Sequence, residues 1–328
     1  MPEMCKLEVL AEYDFSKDPF EKGFFVMETA DSLRLKRVMK MAIESRAMLS
    51  IVAGPGTGKT STFDLIFAEI PVHKVHLETA DKERVVISDI EKGVILGLSN
   101  EACKRTKEVR ARQIKRILGE ASSEKPVVLI LEEAHRMHGQ TLRALKTLRE
   151  MKWKGKSPLF TVVMIGQYDP LRKRGVEEVR LRTDSLQMRG MTASEVVQYI
   201  KGTVGKCFEE DAIEAISRLP QGRNYLELQE ALITLMGKAL AVGSKKVTAL
   251  EVYEVFGGGI KEVMKRANIS LAEIHEMTGI PKPTLSLVTN DTQGTLSDSK
   301  FSDTRLAIAS VLREKLEGKK TTKLGAIS

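Results

Sequence analysis

Met48-Leu49-Ser50-Ile51-Val52-Ala53-Gly54-Pro55-Gly56-Thr57-Gly58-Lys59-Thr60-Ser61 runs from an apolar segment through a glycine turn into a stretch that reads as a helix to Glu69. A strand, a glycine-rich turn and a helix start form a cradle for phosphate. The glycines let successive backbone N–H groups turn inward, a lysine neutralises the β- and γ-phosphates, and a hydroxyl ligates Mg²⁺. Gly54, Pro55, Gly56, Thr57, Gly58, Lys59, Thr60 and Ser61 are therefore the candidate nucleotide-binding residues, and ATP and Mg²⁺ are the cofactors they imply. The pattern departs from strict G-x-x-x-x-G-K-[ST] at its first position, where Ala53 stands.

A second element supports the first. Val127-Val128-Leu129-Ile130-Leu131 is too short for a buried helix and has the composition of an interior parallel strand. It ends in Glu132-Glu133-Ala134-His135. Acidic residues at a strand's C-terminal end, beside a phosphate loop, are placed to hold Mg²⁺ and activate water. Glu132 is the expected metal-side residue with Thr60, and Glu133 the expected general base. Phe160 to Gln167 reads as a further strand, and the Gln167 amide at its end suits contact with the attacking water or the γ-phosphate. Downstream, Arg172, Lys173, Arg174, Arg180 and Arg182 cluster ahead of a helical region. One arginine at such a place can reach a neighbouring subunit's γ-phosphate, with Arg182 first and Arg180 second. Arg223, after Pro220-Gln221-Gly222, is a candidate second sensor of nucleotide.

Strand and helix patterns alternate to about residue 190, predicting an α/β doubly wound sheet. Helices are expected over 30–44, 87–119 and 141–152, and strands at 72–78, 127–131 and 160–167. Beyond 190 the strands stop, and 192–202, 209–219, 225–241 and 248–256 read as helices. Gly257-Gly258-Gly259 marks a break. The expected division is a nucleotide-binding core over 1–190, a helical lid over 191–256, a linker at 257–259, a small helical domain over 260–317 and a basic tail over 318–328.

In the small domain, Ser270-Leu271-Ala272-Glu273 is a capping box opening a helix to about Thr278. Gly279-Ile280-Pro281 is a turn, and Lys282 to Asn290 a second short helix. Leu271, Ile274, Ile280, Leu285 and Val288 have the spacing to pack the pair together. This is a helix-turn-helix pattern that exposes Lys282, Thr284 and Ser286 for DNA, although an ordinary helical hairpin gives the same pattern.

The bulk numbers are permissive. The 328 residues carry 52 Lys and Arg against 44 Asp and Glu, a net charge of +8, which suits a polyanionic partner. The cysteines Cys5, Cys103 and Cys207 lie far apart without metal spacing, which predicts a reducing compartment, the cytoplasm. No apolar run reaches the roughly 18–20 residues of a membrane span, and the N-terminus lacks a signal peptide's apolar core.

The order of these parts resembles the AAA+ family of ATPases over roughly residues 24–256. Within it the chain is similar to the transposition ATPases of the phage Mu B and TnsC type. Three stretches carry that likeness: Phe25-Val26-Met27-Glu28-Thr29, Leu131 to His135 with the following helix ending Leu148-Arg149-Glu150, and Val163-Met164-Ile165-Gly166-Gln167. Residues 263–317 look like the small helix-turn-helix domain of Mu B, here at the opposite end of the chain. The family's usual Asp is replaced by Glu132, and Arg223 lies about a turn from the expected place. The resemblance implies an AAA+ P-loop core of parallel sheet flanked by helices, with a helical lid and a separate all-α domain. It implies an ATPase that forms a homo-oligomeric ring or helical filament on duplex DNA, recruits a transposase and disassembles on hydrolysis. Lys82, Arg84, Lys152 and Lys154 are candidate DNA contacts, since basic loops track phosphates without reading sequence. A sequence-specific ATP-switched transcriptional regulator, an ExeA-type ATPase and a replication loader are the alternatives.

Overall fold

Runs such as Val127–Leu131, apolar at every position, cannot expose a face to water and must lie inside a sheet covered on both sides. The computed structural model, which describes residues 4–77, 85–257, 260–290 and 296–324, has that architecture. Its elements are α1 Lys6–Glu12, α2 Ala30–Ser45, β1 Met48–Val52, α3 Lys59–Glu69, β2 His73–His76, α4 Ile87–Leu98, α5 Lys107–Glu124, β3 Val127–Leu131, α6 Gly139–Arg149 and β4 Thr161–Gly166. There follow α7 Glu177–Arg180, β5 Thr183–Gln187, α8 Ala193–Thr203, α9 Glu210–Ser217, α10 Tyr225–Ala241, α11 Ala249–Phe256, α12 Ile260–Ala267, α13 Leu271–Thr278, α14 Lys282–Thr289 and α15 Asp298–Leu324.

The chain forms two compact units. The first comprises Glu28–Met191 with Asn224–Leu226, and holds a five-stranded sheet in the order β2-β3-β4-β1-β5. Every pairing is parallel, with Met48 opposite Val162 and Thr183, and Val52 opposite Gly166 and Gln187. Side chains alternate across a strand. Val128 and Ile130 therefore join Leu49, Ile51, Val163 and Ile165 in a layer with Leu35, Met39 and Ile43 of α2 and Phe63 and Ile66 of α3. Leu129 and Leu131 join Val162 and Met164 in the opposite layer with Ile90, Val94, Ile114, Leu118, Leu142 and Leu145 of α4, α5 and α6. All C-terminal strand ends then share one edge, where ligands of open α/β sheets bind.

Three sequence expectations change here. The helix predicted over 87–119 is two, because Ser99 turns extended (φ −152°) and Gln113 ties down the connection between them. Gln113 Oε1 accepts from Lys104 N at 3.0 Å, and its Nε2 donates to Glu101 Oε2 and Ala102 O. The strand β5 was not expected, since it buries only Leu186 and reads as a polar stretch. α15 runs to Leu324, through residues expected as a tail. A single Gly318 costs a helix only about 1 kcal/mol, and strong helix formers surround it.

The second unit comprises residues up to Met27, Thr192–Arg223 and the chain from Glu227 onward. Thr192 with Glu195, and Thr248 with Glu251, form capping boxes that start α8 and α11. Phe25 packs edge-on against Tyr199, with ring centroids 6.3 Å apart. α12 to α15 share a core in which Val263, Ile274, Leu285, Val288, Ile308 and Leu312 are buried. Ser270 Oγ accepts from Glu273 N and Glu273 Oε2 accepts from Ser270 N, as the capping box requires. Gly279 takes the left-handed conformation (φ 69°) that turns α13 into the link to α14. Among the described residues no helix is long and apolar enough to cross a membrane.

Candidate active site

The phosphate loop leaves β1 at the sheet's C-terminal edge and enters α3, whose N-terminal amides provide partial positive charge. Gly56 (φ 72°) and Gly58 (φ 77°) hold the left-handed positions that curl the loop. Ala53 is buried and is not among the left-handed residues, so the missing first glycine is no obstacle there. Its N–H donates to Gly166 O of β4 at 2.9 Å, and its carbonyl accepts from Lys59 Nζ at 3.0 Å. Thr57 Oγ1 donates to Gly54 O, and Thr62 Oγ1 to Gly58 O. Thr60 and Ser61 are exposed in the first turn of α3.

Asn224 and Tyr225 also touch this loop, and sequence reasoning missed both. Asn224 Nδ2 donates to Pro55 O and the Tyr225 N–H donates to Gly56 O, each at 2.8 Å. Arg223, the expected second sensor, is the exposed last residue of the 3-10 turn Pro220–Arg223 directly ahead of them.

On the acidic side, Glu132 leaves β3 and lies with its Oε1 3.2 Å from Nε2 of His76, the last residue of the neighbouring β2. Glu133 follows in the left-handed region (φ 50°), an uncommon conformation for a non-glycine residue that re-aims its side chain. Its carboxylate lies 3.4 Å from Arg136 Nε and 3.8 Å from His135 Nε2. His135 reaches across to β4, its Nδ1 accepting from the Gln167 N–H at 3.4 Å. A Cβ on Gly166 would lie 3.2 Å from His135 N, so β4 ends in the one residue that lets the acidic turn approach. The structure thus brings Glu132, Glu133 and Gln167 to adjacent strand ends, joined by His135. Spacing gave no signal for His135 as the link, because the contact depends on β3 and β4 being neighbours.

The arginines lie elsewhere. Arg182 immediately precedes β5, at the N-terminal edge of the sheet. The five residues of the parallel β1 and β5, at about 3.3 Å each, separate that edge from the phosphate loop by about 17 Å. Arg182 pairs there with Glu150, both half-exposed. Arg149 beside it donates to Arg46 O at 2.7 Å, and burial together with the neighbouring Arg182 charge holds it below an arginine's ordinary pKa. Lys173 donates to Met137 O, and burial lowers its pKa. Arg172, Arg174 and Arg180 are exposed.

Of the candidate DNA contacts, Lys82 and Arg84 lie outside the described residues. Lys152 and Lys154 are exposed on a tight turn in which Trp153 and Lys156 exchange backbone hydrogen bonds of 3.0 and 2.9 Å. Lys154 and Gly155 take the paired left-handed conformations of a two-residue hairpin (φ 46° and 80°). Trp153 packs onto Gly119 of α5, where a Cβ would lie 2.5 Å from the indole Cδ1. Lys282 is exposed at the start of α14, and Thr284 and Ser286 are half-buried.

Residues 42–174 match the family model described as an AAA domain, AAA_22. No curated protein matches the chain. Among solved structures, Cdc6p from Pyrobaculum aerophilum is similar at 12% identity and a TM-score of 0.52, over 93% of this chain and 89% of that one. The Aeropyrum pernix ORC2 protein, in ADPNP–ADP complexes, is similar at 14% identity and a TM-score of 0.50, over 90% of each chain. Drosophila ORC bound to DNA is similar at 15% identity and a TM-score of 0.50, over 99% of this chain and 86% of that one. Residues 42–174 are therefore similar to an AAA domain, and the fold is the AAA+ P-loop fold, a parallel sheet flanked by helices with a C-terminal helical region.

Proposed function

We propose that the chain is an ATPase that assembles on duplex DNA with ATP, recruits and stimulates a transposase, and comes apart on hydrolysis in the cytoplasm. In this reading Gly54 to Ser61 hold the ATP phosphates, with Lys59 neutralising them, and Arg223 senses the bound nucleotide. Mg²⁺ would be held by the Thr60 hydroxyl and the Glu132 carboxylate, a hard-oxygen set that suits it, and would offset charge on the phosphates. Glu133 accepts a proton from the water that attacks the γ-phosphorus, and the bond to the bridging oxygen of ADP breaks. Gln167 orients that water.

The observation that carries the oligomer is the place of Arg182. An arginine about 17 Å along the strands from its own phosphate loop cannot stabilise charge there, and suits the γ-phosphate of a neighbouring copy. The basic turn at Lys152 and Lys154, the net charge of +8 and the DNA-bound state of one protein of the same fold support a duplex partner. Lys82, Arg84 and, on α14, the exposed Lys282 with the half-buried Thr284 and Ser286 are further contacts in this reading. The transposase partner rests on the resemblance of the 25–29, 131–150 and 163–167 stretches to the Mu B and TnsC type.

Electron microscopy of the protein with duplex DNA tests this directly. Rings or filaments should form with ATP and not with ADP, and Lys59→Ala should abolish them. Monomers on DNA under every nucleotide condition would overturn the assembly. Binding confined to one DNA site in a footprint would move the transcriptional regulator to first place.

A further inference from the structure

A phosphate cradle works because its amides converge, so its carbonyls must diverge. A diverging carbonyl can be satisfied by water, but a donor fixed in the protein also holds it in one orientation and keeps the loop from flipping. The carbonyls of Ala53, Gly54 and Gly58 take theirs locally, from Lys59, Thr57 and Thr62. Those of Pro55 and Gly56, at the tip, do not. Their donors are Asn224 Nδ2 and the Tyr225 N–H, and Asn224 stands 169 residues downstream of Pro55.

Asn224 does two things with one carboxamide. Its Oδ1 accepts from Leu226 N at 2.9 Å, capping the first turn of α10, while its Nδ2 reaches the loop. Among the short capping side chains only asparagine offers an acceptor and a donor on the same planar group. The approach is close. A Cβ on Gly56 would lie 2.9 Å from Asn224 Cγ and 3.0 Å from Leu226 Cγ, and one on Gly58 would lie 3.1 Å from Tyr225 Cε2. The two glycines are thus required by the segment 224–226 as well as by their own left-handed backbone.

We propose that Asn224 is a positioning residue for nucleotide binding: it fixes the Pro55 carbonyl outward, so that the loop amides face the phosphates before nucleotide arrives. This rests on the reading of residues 53–60 as the nucleotide site. A loop ordered in advance loses less entropy on binding, so the effect appears in affinity for phosphate-bearing nucleotides.

Two substitutions separate the donor from the cap. Asn224→Asp keeps the capping acceptor and replaces the donor with a second acceptor. Asn224→Ser keeps a capping oxygen, stays neutral and is too short to reach Pro55. Both should weaken ADP binding, measured by calorimetry on the full chain, by about 3- to 10-fold, the scale of one net hydrogen bond, since water can take over the exposed Pro55 carbonyl but cannot hold it in place. Both should hasten amide hydrogen exchange across residues 54–58 while leaving the melting temperature without nucleotide within a few degrees. ADP affinity and loop exchange equal to wild type in both variants would overturn the inference, as would loss in the Asp variant alone, which is charge repulsion. A large fall in melting temperature in both variants would also overturn it, because the residue would then be holding the fold and not the loop. Failure of the underlying reading looks different: wild-type protein binds no ADP, or Lys59→Ala binds it as tightly as wild type.

Discussion

Gly119→Ala should destabilise this protein, although a helix-interior glycine replaced by alanine ordinarily gains stability. In an exposed helix the exchange is worth about 0.5–1 kcal/mol in alanine's favour. Here the new methyl would lie 2.5 Å from Trp153 Cδ1 and nearer still to Cγ and Cδ2. The α5 backbone is fixed by its helix and the indole is rigid, so the indole must leave its seat. Overpacking of this kind costs about 1–3 kcal/mol, which outweighs the propensity gain and leaves a net loss of about 1–2 kcal/mol. In a Trp153→Ala background the clash is gone, and the same substitution should stabilise by its propensity alone. The two backgrounds should therefore differ by about 2 kcal/mol, well above the roughly 0.5 kcal/mol scatter of independent sites. Trp153 is the only tryptophan in the chain, so its fluorescence reports this one place. Emission should shift to the red in Gly119→Ala without denaturant, and urea unfolding of the four proteins completes the cycle. Since Lys152, Lys154 and Lys156 ride on the same turn, duplex affinity should fall and its salt slope flatten, while ADP affinity stays as in wild type. Equal stabilisation in both backgrounds with unshifted emission would refute the reasoning.

Glu133→Gln should keep nucleotide binding and lose turnover by at least about 10²-fold, because an amide cannot take the proton of the attacking water; normal turnover in Glu133→Gln with loss in Glu132→Gln would reverse the two roles. Arg182→Ala should lose turnover, and mixing it with Glu133→Gln should restore part, since a mixed interface can join an intact acid to an intact arginine; no recovery at any ratio, with both variants assembling, would place Arg182 outside the site. Cys207 is buried, and burial raises its thiol from the usual value near 9 to about 11. Its folded-state pKa lies above the unfolded one, so its contribution to stability is complete below pH 9 and is lost as pH rises towards 11. At pH 8 a thiol reagent should label the exposed Cys5 quickly and Cys207 only after denaturant is added; rapid labelling of all three cysteines would contradict that burial.

The parts of this molecule that were legible in sequence are those whose signal is local. Gly54 to Thr60 announce a phosphate loop because the turn, the lysine and the hydroxyl are consecutive. Val127–Leu131 announce an interior strand because both faces are apolar. Ser270 and Glu273 announce a helix start because a capping box spans one turn. What escaped depends on neighbours across the sheet or far along the chain. β5 shows one buried side chain, Leu186, and earns its place by pairing with β1. The break between α4 and α5 is fixed by Gln113, more than a turn beyond it. Asn224 and Tyr225 reach the loop only because α10 begins where it does. The distance of Arg182 from its own phosphate loop follows from the parallel direction of β5, which no spacing rule contains.

The two departures from the expected motifs have different physical weight. Ala53 replaces a glycine at a position that needs no glycine. Its methyl is buried, its φ is ordinary, and its N–H and carbonyl make the bonds that tie β1 to β4 and anchor Lys59. Glu132 is one methylene longer than the aspartate usual at that place, and the extra length is taken up laterally. The carboxylate reaches across to the last residue of β2 and lies 3.2 Å from the His76 ring. Glu133 meanwhile is turned by its left-handed backbone towards Arg136 and His135. Two adjacent glutamates would otherwise repel at short range. Here they diverge to different partners, Glu132 towards β2 and Glu133 towards the turn that contacts β4. The proposed roles draw on that divergence: Glu132, beside the last residue of β2, would keep an oxygen for Mg²⁺, and Glu133, on the turn towards β4, would receive the proton of the attacking water.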